Sequence, residues 1–446
     1  MQIKKNKKSA AVIGAGISGL TCAYELQKAG FKVTVYEKES RVGGRMSSIQ
    51  KNGFIFDIGA NHLINLYTEM RKYCKEFAIK WQRFPFVNYN ILYQGKMRHP
   101  MSILPFSSKI KLAVMQLAAR KMPSYFNLSD LLKYDMKYNT DNASKKNAYY
   151  LAKKKIGEIF ADYITEGYTS GYQFHSAKEI SSAAFLSQMN SIRKNNPDWY
   201  LHRTEGGMIS LPNALARTLN VKLNTTIKKV SPHTSYVLID KKKYDIVVLA
   251  TTANITAKIL DNPSKEQQDF LNKVKYSSSI VVAFRVDKKC LGDVDPEKDT
   301  SKTVSTIWLP KIESSIIASV SNESYKGEEM IKQNKTLLCA FLHEDGAKKL
   351  LKKSNKEIFL VVKKELIKHL PWFTKESQLE NFDLYKWECA MPKYYPGYIQ
   401  LADDFLKKEQ GKNNIFFCGD YLNAVWTEGA LRCGQRVAET IVKSKF

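Results

Sequence analysis

The stretch 10–45 constrains the fold of this chain more than any other part of the sequence. The apolar run 10–13 predicts a buried strand. Gly14, Gly16 and Gly19 follow it with the spacing G-x-G-x-x-G. The first glycine allows a tight turn, the second lets the backbone approach a pyrophosphate, and the third packs a helix against the strand. This order of features predicts a dinucleotide site at the end of a parallel sheet.

The helix and the second strand complete that unit. The helix is predicted to begin near Ser18, where its unpaired N–H groups and the positive end of its dipole face the phosphate position. Residues 32–36 predict a strand that delivers Glu37 at its carboxyl end, where the ribose hydroxyl groups need an acceptor. Glu37 favours a free 2′-hydroxyl, because a 2′-phosphate would require an arginine. A glycine motif alone is weak evidence for a dinucleotide site, whereas the strand, glycines, helix, second strand and acidic residue together are specific for one.

Further motifs occur near both ends of the chain. R-V-G-G-R at 41–45 and F-I-F-D-I-G-A-N-H at 54–62 follow the first unit. Far downstream, a strand ends in G-D at 419–420 and T-E-G-A at 427–430 opens a helix. The patterns V-x-E-K-x-x-R-x-G-G-R, F-D-x-G-A and G-D…E-G-A resemble the signatures of the FAD-dependent amine oxidase and protoporphyrinogen oxidase superfamily. The resemblance covers most of the chain. It is close in these segments and weaker in the middle of the sequence.

The glycine unit and the resemblance together give the predicted FAD contacts. The resemblance implies that Gly44 and Arg45 contact the diphosphate and that residues 59–61 run beside the flavin ring. It also implies that Ile227 meets the adenine through its backbone and that Asp420 takes the ribityl or diphosphate side. The full predicted cofactor set is Gly14, Gly16, Ser18, Gly19, Glu37, Lys38, Gly44, Arg45, Gly59, Ala60, Asn61, Ile227, Gly419, Asp420, Thr427 and Ala430.

The segment 387–398 resembles the W-x-x-A-x-P-x-Y-x-x-G element of the superfamily. Its aromatic residues Tyr394, Tyr395 and Tyr398 are candidates to line the substrate pocket. An equally weighted alternative is that they fill the interface between two domains. Some relatives attach FAD through a cysteine in this region. Cys389 precedes the position expected for that cysteine, so we predict a non-covalent flavin.

No catalytic residue is named by the sequence. We find neither a Ser-His-Asp arrangement nor a metal-ligand spacing, and flavin oxidation requires no side-chain base. His62 is equally compatible with facing the flavin and with a core position. His175 is expected to be structural.

Composition narrows the class of protein. The chain has 446 residues, seven scattered cysteines and a formal net charge of +27. Only 12 of its 70 basic residues are arginine, and the lysines are spread along the whole chain, which argues against nucleic-acid binding. We expect a reduced, cytoplasmic protein without a metal. Attraction to an anionic membrane face or to an anionic substrate stays open. The amphipathic segment 106–122 is expected to be a helix that covers a cavity, with a contact to a membrane surface as the alternative.

The predicted fold is α/β. A Rossmann-like FAD-binding domain is assembled from 1–95, 203–275 and 386–446. A mixed-sheet substrate domain covers 276–385, and its helical insert covers 96–202. Strands are expected near residues 277–286, 304–309, 316–320 and 336–342.

The resemblance implies a flavin oxidoreductase that transfers a hydride from a small or cyclic substrate to flavin N5, oxidising a C–N or C–C bond. O₂ or another acceptor would then take the electrons. The segment 156–181 favours the protoporphyrinogen oxidase side of the superfamily. Two alternatives stay open: a desaturase or isomerase of polyenes derived from membrane lipids, and a flavoprotein partner without turnover.

Overall fold

The structure is a computed structural model that describes residues 8–84, 89–119, 126–138, 146–193, 201–291 and 305–445. Its strands are β1 (Ser9–Ile13), β2 (Lys32–Tyr36), β3 (Ser48–Lys51), β4 (Phe54–Asp57), β5 (Leu63–Ile64), β6 (Trp81–Phe84), β7 (Tyr89–Tyr93), β8 (Lys96–Arg98), β9 (Leu201–Thr204), β10 (Asn220–Lys222), β11 (Val230–Pro232), β12 (Val237–Ile239), β13 (Lys242–Tyr244), β14 (Ile246–Leu249), β15 (Tyr276–Asp287), β16 (Thr306–Trp308), β17 (Ile317–Asn322), β18 (Lys335–Leu342), β19 (Glu380–Pro392) and β20 (Ile415–Phe417).

The helices alternate with and follow these strands. The α-helices are α1 (Ile17–Lys28), α2 (Thr68–Glu76), α3 (Phe106–Ala119), α4 (Leu128–Tyr138), α5 (Ala148–Lys155), α6 (Glu166–Gln173), α7 (Ser182–Arg193), α8 (Ser210–Arg217), α9 (Ala253–Ile259), α10 (Lys265–Lys273), α11 (Glu344–Leu350), α12 (Asn355–His369), α13 (Tyr398–Glu409) and α14 (Thr427–Lys445). A π-helical turn, Phe160–Thr165, leads into α6.

A five-stranded parallel sheet holds the first motif. Its strand order is β10-β2-β1-β14-β20, and every neighbouring pair runs parallel. Strands buried on both faces need apolar residues throughout, which is why the run 10–13 and β14 contain no polar side chain. The prediction of an α/β fold is confirmed by this sheet and its flanking helices.

The two distant motifs meet where α14 packs on α1. A Cβ atom added at Gly434 would lie 2.3 Å from the Ser18 carbonyl oxygen. This approach is possible only without a side chain, and it brings the carboxyl-terminal helix beside the glycine turn.

A mixed seven-stranded sheet forms the second layer, in the order β19-β15-β18-β17-β16-β7-β8. The strands expected near 277–286, 304–309, 316–320 and 336–342 are confirmed as β15, β16, β17 and β18. α11 and α12 cover one face of this sheet through an apolar cluster.

The sheets do not follow the predicted domain division at two segments, β7 and β19. β7, inside 1–95, pairs with β16 in the seven-stranded sheet, and β19 crosses the predicted boundary at residue 386. Each pairing joins residues far apart in the chain, so local sequence pattern carries no information about it. The domain bounds themselves stay a prediction.

Helices α3 to α7 form a third layer beside the sheets, where the insert was predicted. α4 packs against α7 and α13, and Leu112 of α3 joins a small apolar cluster with Ala152 and Ile156. Residues 120–122 of the predicted amphipathic segment lie outside the described part. None of the described helices has the length and apolar character needed to cross a membrane.

Candidate functional site

A cavity of about 700 Å³ lies between the carboxyl ends of the parallel strands and the seven-stranded sheet. It is lined by fifteen of the sixteen predicted cofactor residues, namely Gly14, Gly16, Ser18, Glu37, Lys38, Gly44, Arg45, Gly59, Ala60, Asn61, Ile227, Gly419, Asp420, Thr427 and Ala430. Gly19 is outside the lining, because it packs the helix on the strand: an added Cβ would lie 2.1 Å from the Gly14 carbonyl oxygen. The segments that are distant in sequence therefore converge on one space.

The glycine turn opens toward this space. A Cβ at Gly14 would meet the Ala250 carbonyl oxygen at 2.7 Å, whereas one at Gly16 would meet nothing within 4 Å. At Gly16 the missing side chain thus leaves room on the cavity side for a ligand to approach the backbone. The amino-terminal end of α1 begins one residue later and faces the same opening with its dipole.

Glu37 is held at the end of β2 by backbone groups. Its Oε2 accepts a hydrogen bond from the Ala15 N–H at 2.8 Å, and its Oε1 accepts one from the Glu39 N–H at 3.0 Å. Each carboxylate oxygen has a second lone pair, so both remain able to accept from ribose hydroxyl groups. The contacts fix the carboxylate beside the glycine turn.

Arg45 and Asp420 form a bidentate ion pair in the cavity wall. The two nitrogen–oxygen distances are 2.8 Å and 2.9 Å, and Arg45 also donates to the Ala390 carbonyl oxygen at 3.1 Å. Gly59 packs directly on this residue, since an added Cβ would lie 2.1 Å from the Arg45 carbonyl oxygen. The pair joins the amino-terminal R-V-G-G-R motif to the carboxyl-terminal G-D motif.

The donor set fits a flavin dinucleotide. Two helix amino termini, those of α1 and α14, open on the cavity. Glu37 can accept hydrogen bonds from a ribose, and Arg45 together with the helix termini can bind a diphosphate. Within the described residues, no group of three or more His, Cys, Asp or Glu side chains is arranged to hold a metal ion.

Tyr394, Tyr395 and Tyr398 do not line the cavity, so the expectation that they wall the substrate pocket is corrected. Tyr394 and Tyr398 are fully buried. The Tyr394 hydroxyl donates to the Asp420 carbonyl oxygen at 2.6 Å, and that of Tyr398 donates to the Tyr421 carbonyl oxygen at 2.7 Å. Their hydroxyl groups satisfy backbone carbonyls near the G-D motif, which is the interface-filling alternative. Tyr395 likewise donates to the Lys273 carbonyl oxygen.

Cys389, which precedes the position expected for an attaching cysteine, lies on the cavity wall. Its Sγ is 3.8 Å from the Asn254 side-chain oxygen, and burial raises the pKa of its thiol. A raised pKa keeps the thiol protonated and a poor nucleophile near neutral pH.

An aromatic chamber extends the cavity beyond the predicted cofactor contacts. The Tyr168 and Tyr172 rings each lie 5.9 Å from Trp308, and Phe174 stacks on Phe341. All five side chains line the cavity. No local sequence pattern marks this chamber, because its rings come from α6 and the residue that follows it, from β16 and from β18, which are far apart in the chain.

His62 faces this chamber rather than the core, which decides the question that the sequence left open. Its ring is 5.5 Å from that of Tyr172. Burial, with help from the positive charge of Lys326, lowers the pKa of His62 to about 3, so the imidazole is neutral. His175 is buried outside the cavity lining, and its Nδ1 lies 3.1 Å from the Ser176 carbonyl oxygen.

A buried ionic group stands behind the chamber wall. Lys326 lies 2.5 Å from Glu323 and 3.8 Å from Asp57. Ser321, on the cavity side, donates to Glu323 at 2.7 Å. No motif in the sequence marks these residues, although the alternation of Ser319 and Ser321 along β17 is typical of side chains that share one face of a strand.

Residues 17–442 match the family model described as flavin containing amine oxidoreductase. Protoporphyrinogen oxidase 2 of Arabidopsis thaliana is 21% identical over 98% of this chain and 94% of its own. The L-amino-acid oxidase of Vipera ammodytes ammodytes is 23% identical over 98% and 93%. A putrescine oxidase triple mutant matches in structure with a TM-score of 0.78 at 18% identity, covering 98% of this chain and 99% of the other.

Proposed function

Because this chain belongs to the flavin-containing amine oxidoreductase family, we propose that it uses non-covalently bound FAD to oxidise a C–N or C–C bond of a small or cyclic substrate. When bound, FAD supplies the hydride acceptor at flavin N5. The observation that carries the proposal is the convergence of the amino-terminal and carboxyl-terminal motifs on one cavity that continues into an aromatic chamber.

The chain's residues hold and orient the cofactor in this proposal. Gly16 and the start of α1 take the pyrophosphate, with Arg45 beside it, and Glu37 accepts from the adenosine ribose. The start of α14 faces the part of the flavin where negative charge gathers on reduction. Residues 59–61 then lie beside the ring, and Ile227 lies beside the adenine.

The chamber favours a substrate whose reacting part is an uncharged, cyclic or otherwise apolar group. Several described residues of the helical insert and of strands β15 to β18 line the cavity. None of them is Asp, Glu, Lys or Arg. A buried ammonium or carboxylate needs a partner of opposite charge, because desolvation without one costs several kcal/mol. We therefore favour a ring substrate over an α-amino acid or a diamine.

Anaerobic mixing tests the oxidation. The yellow protein is mixed with protoporphyrinogen IX, cyclohexylamine, putrescine or L-leucine, and the flavin absorbance is followed. Bleaching by the first two is expected, because the porphyrinogen ring can enter the chamber with its propionates outside and cyclohexylamine can enter as the neutral amine. No bleaching is expected with putrescine, which carries a second ammonium, or with L-leucine, which carries a carboxylate on the reacting carbon. Bleaching by L-leucine alone would contradict the apolar assignment, and bleaching by none of them would contradict the proposed function.

Experiments with the same purified protein distinguish the two alternative functions. A polyene desaturase or isomerase would leave all four probes unreacted but act on a carotenoid-like polyene in liposomes. A flavoprotein without turnover would bind FAD, photoreduce normally, and react with neither set.

We also propose a peripheral membrane contact for α3. Phe106, Ile110, Val114 and Leu117 are 78%, 51%, 61% and 57% exposed and lie on one face of the helix. Lys111 of α3 is exposed, as are Lys154 and Lys155 of α5, a helix that shares an apolar cluster with Leu112 of α3. An apolar face flanked by lysine matches an anionic bilayer surface, and the net charge of +27 favours the same occupant.

A further inference from the structure

The oxidation of a C–N or C–C single bond to a double bond releases a proton as well as a hydride. The His62 ring on the chamber wall is a poor acceptor for this proton, because its pKa is far below neutral. Flavin oxidation requires no side-chain base, because solvent can take this proton, but a side chain that takes it instead must reach the cavity and connect to a base. Among the described lining residues, Ser321 meets both requirements.

Ser321 and Asn61 converge on the same buried carboxylate from the cavity wall. The Ser321 hydroxyl donates to Glu323 Oε1 at 2.7 Å, and Asn61 Nδ2 lies 3.3 Å from the same oxygen. Because both donors reach one atom, Ser321 lies next to the segment proposed to flank the flavin ring. The Tyr325 hydroxyl is a further hydrogen-bonding neighbour of Ser321.

The charges behind the wall favour uptake of one proton. Lys326 is fully buried between Glu323 and Asp57, which are also buried. Its Nζ also donates to the Asn61 carbonyl oxygen at 2.8 Å. One ammonium against two carboxylates leaves an excess negative charge in a region where charge is poorly solvated.

The surrounding charged groups leave this excess in place. Arg203 acts with its positive charge on Asp57 and Glu323 and is also paired with Glu329, so two cations face three carboxylates. Cys339 and Tyr325, which also face the group, have thiol and phenol pKa values raised mainly by burial and are uncharged. When Glu323 becomes neutral, Lys326 keeps Asp57 as its partner. Asp57 is bonded to Ser48 and the Met208 N–H, so only Glu323 is joined to the cavity through a hydroxyl.

We propose that Ser321 accepts the proton lost by the substrate and passes its own hydroxyl proton to Glu323, which Lys326 and Asn61 hold in position. This inference rests on the proposed oxidation. The substrate carbon loses a hydride, and with it both electrons, to the cofactor. The adjacent N–H or C–H bond gives its proton to Ser321 Oγ as the Ser321 O–H proton moves to Glu323 Oε1. The products are C=N or C=C, a reduced cofactor and a neutral Glu323.

Stopped-flow bleaching with cyclohexylamine and protoporphyrinogen IX tests the relay. We expect Ser321→Ala and Glu323→Gln to slow flavin reduction by about 100-fold and to flatten its pH profile. Ser321→Thr, which keeps the hydroxyl, should restore both. Ser319→Ala is the matched control: this neighbouring hydroxyl donates to the Gly171 carbonyl oxygen, which takes no proton, so the pH profile should keep its shape whatever happens to KM. Flavin content reports folding in every variant.

An infrared pH titration of the FAD-loaded protein without substrate gives a readout that does not depend on turnover. We expect one carboxyl band of the native protein to be lost in Glu323→Gln, whereas the band of Asp57, whose pKa is raised by burial, should be present in both. Native rates and pH profiles in both Ser321→Ala and Glu323→Gln would overturn the relay, as would a Glu323→Gln variant that retains every carboxyl band of the native protein. If neither probe bleaches the flavin, the oxidation fails as a proposal, and the infrared titration alone decides whether Glu323 exchanges a proton.

Discussion

At the scale of single residues, Arg45 connects the two halves of the cofactor cavity. Its bidentate pair with Asp420 orients the guanidinium, so little side-chain entropy remains to be lost when a diphosphate binds beside it. We expect Arg45→Ala to raise the Kd for FAD by about 10- to 100-fold, as loss of a charge-assisted hydrogen bond predicts. Titration of the apoprotein with FAD, followed by flavin fluorescence, measures this change.

The control for that substitution is Arg285→Ala. Arg285 also pairs with a carboxylate, Glu380, but it lies on the seven-stranded sheet away from the cavity lining. Its removal should leave the Kd for FAD unchanged. Equal weakening by both substitutions would point to general destabilisation instead of a diphosphate contact.

Cys389 decides whether the flavin is attached covalently. Burial raises the pKa of its thiol, so the thiolate needed for attack on a flavin is scarce near neutral pH. We expect acid precipitation to leave all the flavin in the supernatant, from the native protein and from Cys389→Ser alike. Yellow colour that stays with the precipitate of the native protein and is lost in Cys389→Ser would show a thioether at this residue.

At the scale of secondary-structure elements, α3 is the helix whose outward face is apolar. A bilayer would bury Phe106, Ile110, Val114 and Leu117, and each side chain contributes through the apolar area removed from water. We expect Val114→Asp to lower binding to anionic liposomes at least tenfold, since it places a charge at the centre of this face. Co-sedimentation with vesicles of phosphatidylserine and phosphatidylcholine measures it.

Leu360→Asp provides the comparison for that substitution. Leu360 is a single exposed leucine, 44% accessible, on α12. Its substitution should leave liposome binding unchanged. Binding that depends on phosphatidylserine but not on Val114 would mean that lysines alone hold the protein to the surface.

The elements differ in how far sequence predicted them. β1, α1 and β2 follow from residues within one short stretch, in which the apolar run, the glycine spacing and Glu37 occur in order. The sheet that β7 joins depends on β16, more than two hundred residues later, and no local pattern encodes it. Similarly, the aromatic character of Tyr394 and Tyr398 is visible in the sequence, whereas the carbonyl groups that their hydroxyls meet are set by tertiary packing.

At the scale of the whole molecule, the chain brings together motifs from both ends and a chamber built from its middle. The convergence of the glycine turn and the helix termini on one cavity was predictable, because a dinucleotide imposes the same backbone requirements in many sequences. The chamber was not, since a substrate imposes requirements on side chains that several strands supply together. The group formed by Ser321, Glu323 and Lys326 is of this second kind.

The stability of the molecule should depend on pH through its buried histidines. His343 is 3% exposed, with Nε2 2.9 Å from the Leu309 carbonyl oxygen, and His175 is 2% exposed. Burial lowers the pKa of each from 6.5 to about 4. Between these values the unfolded chain binds protons that the folded chain excludes. The free energy of unfolding therefore falls as the pH drops from 6.5 to 4, by up to about 1.4 kcal/mol per pH unit for each histidine.

His343→Gln isolates this effect, because glutamine keeps an amide donor for the Leu309 carbonyl oxygen but does not titrate. Buried carboxyl groups such as Asp57, whose pKa is raised by burial, act in the opposite direction, so the comparison is between variant and native protein. Urea unfolding at several pH values should show a shallower acid decline in the variant. His99→Gln, at an exposed histidine, should follow the native curve. Parallel curves for His343→Gln and the native protein across this window would mean that His343 takes up its proton in the folded state.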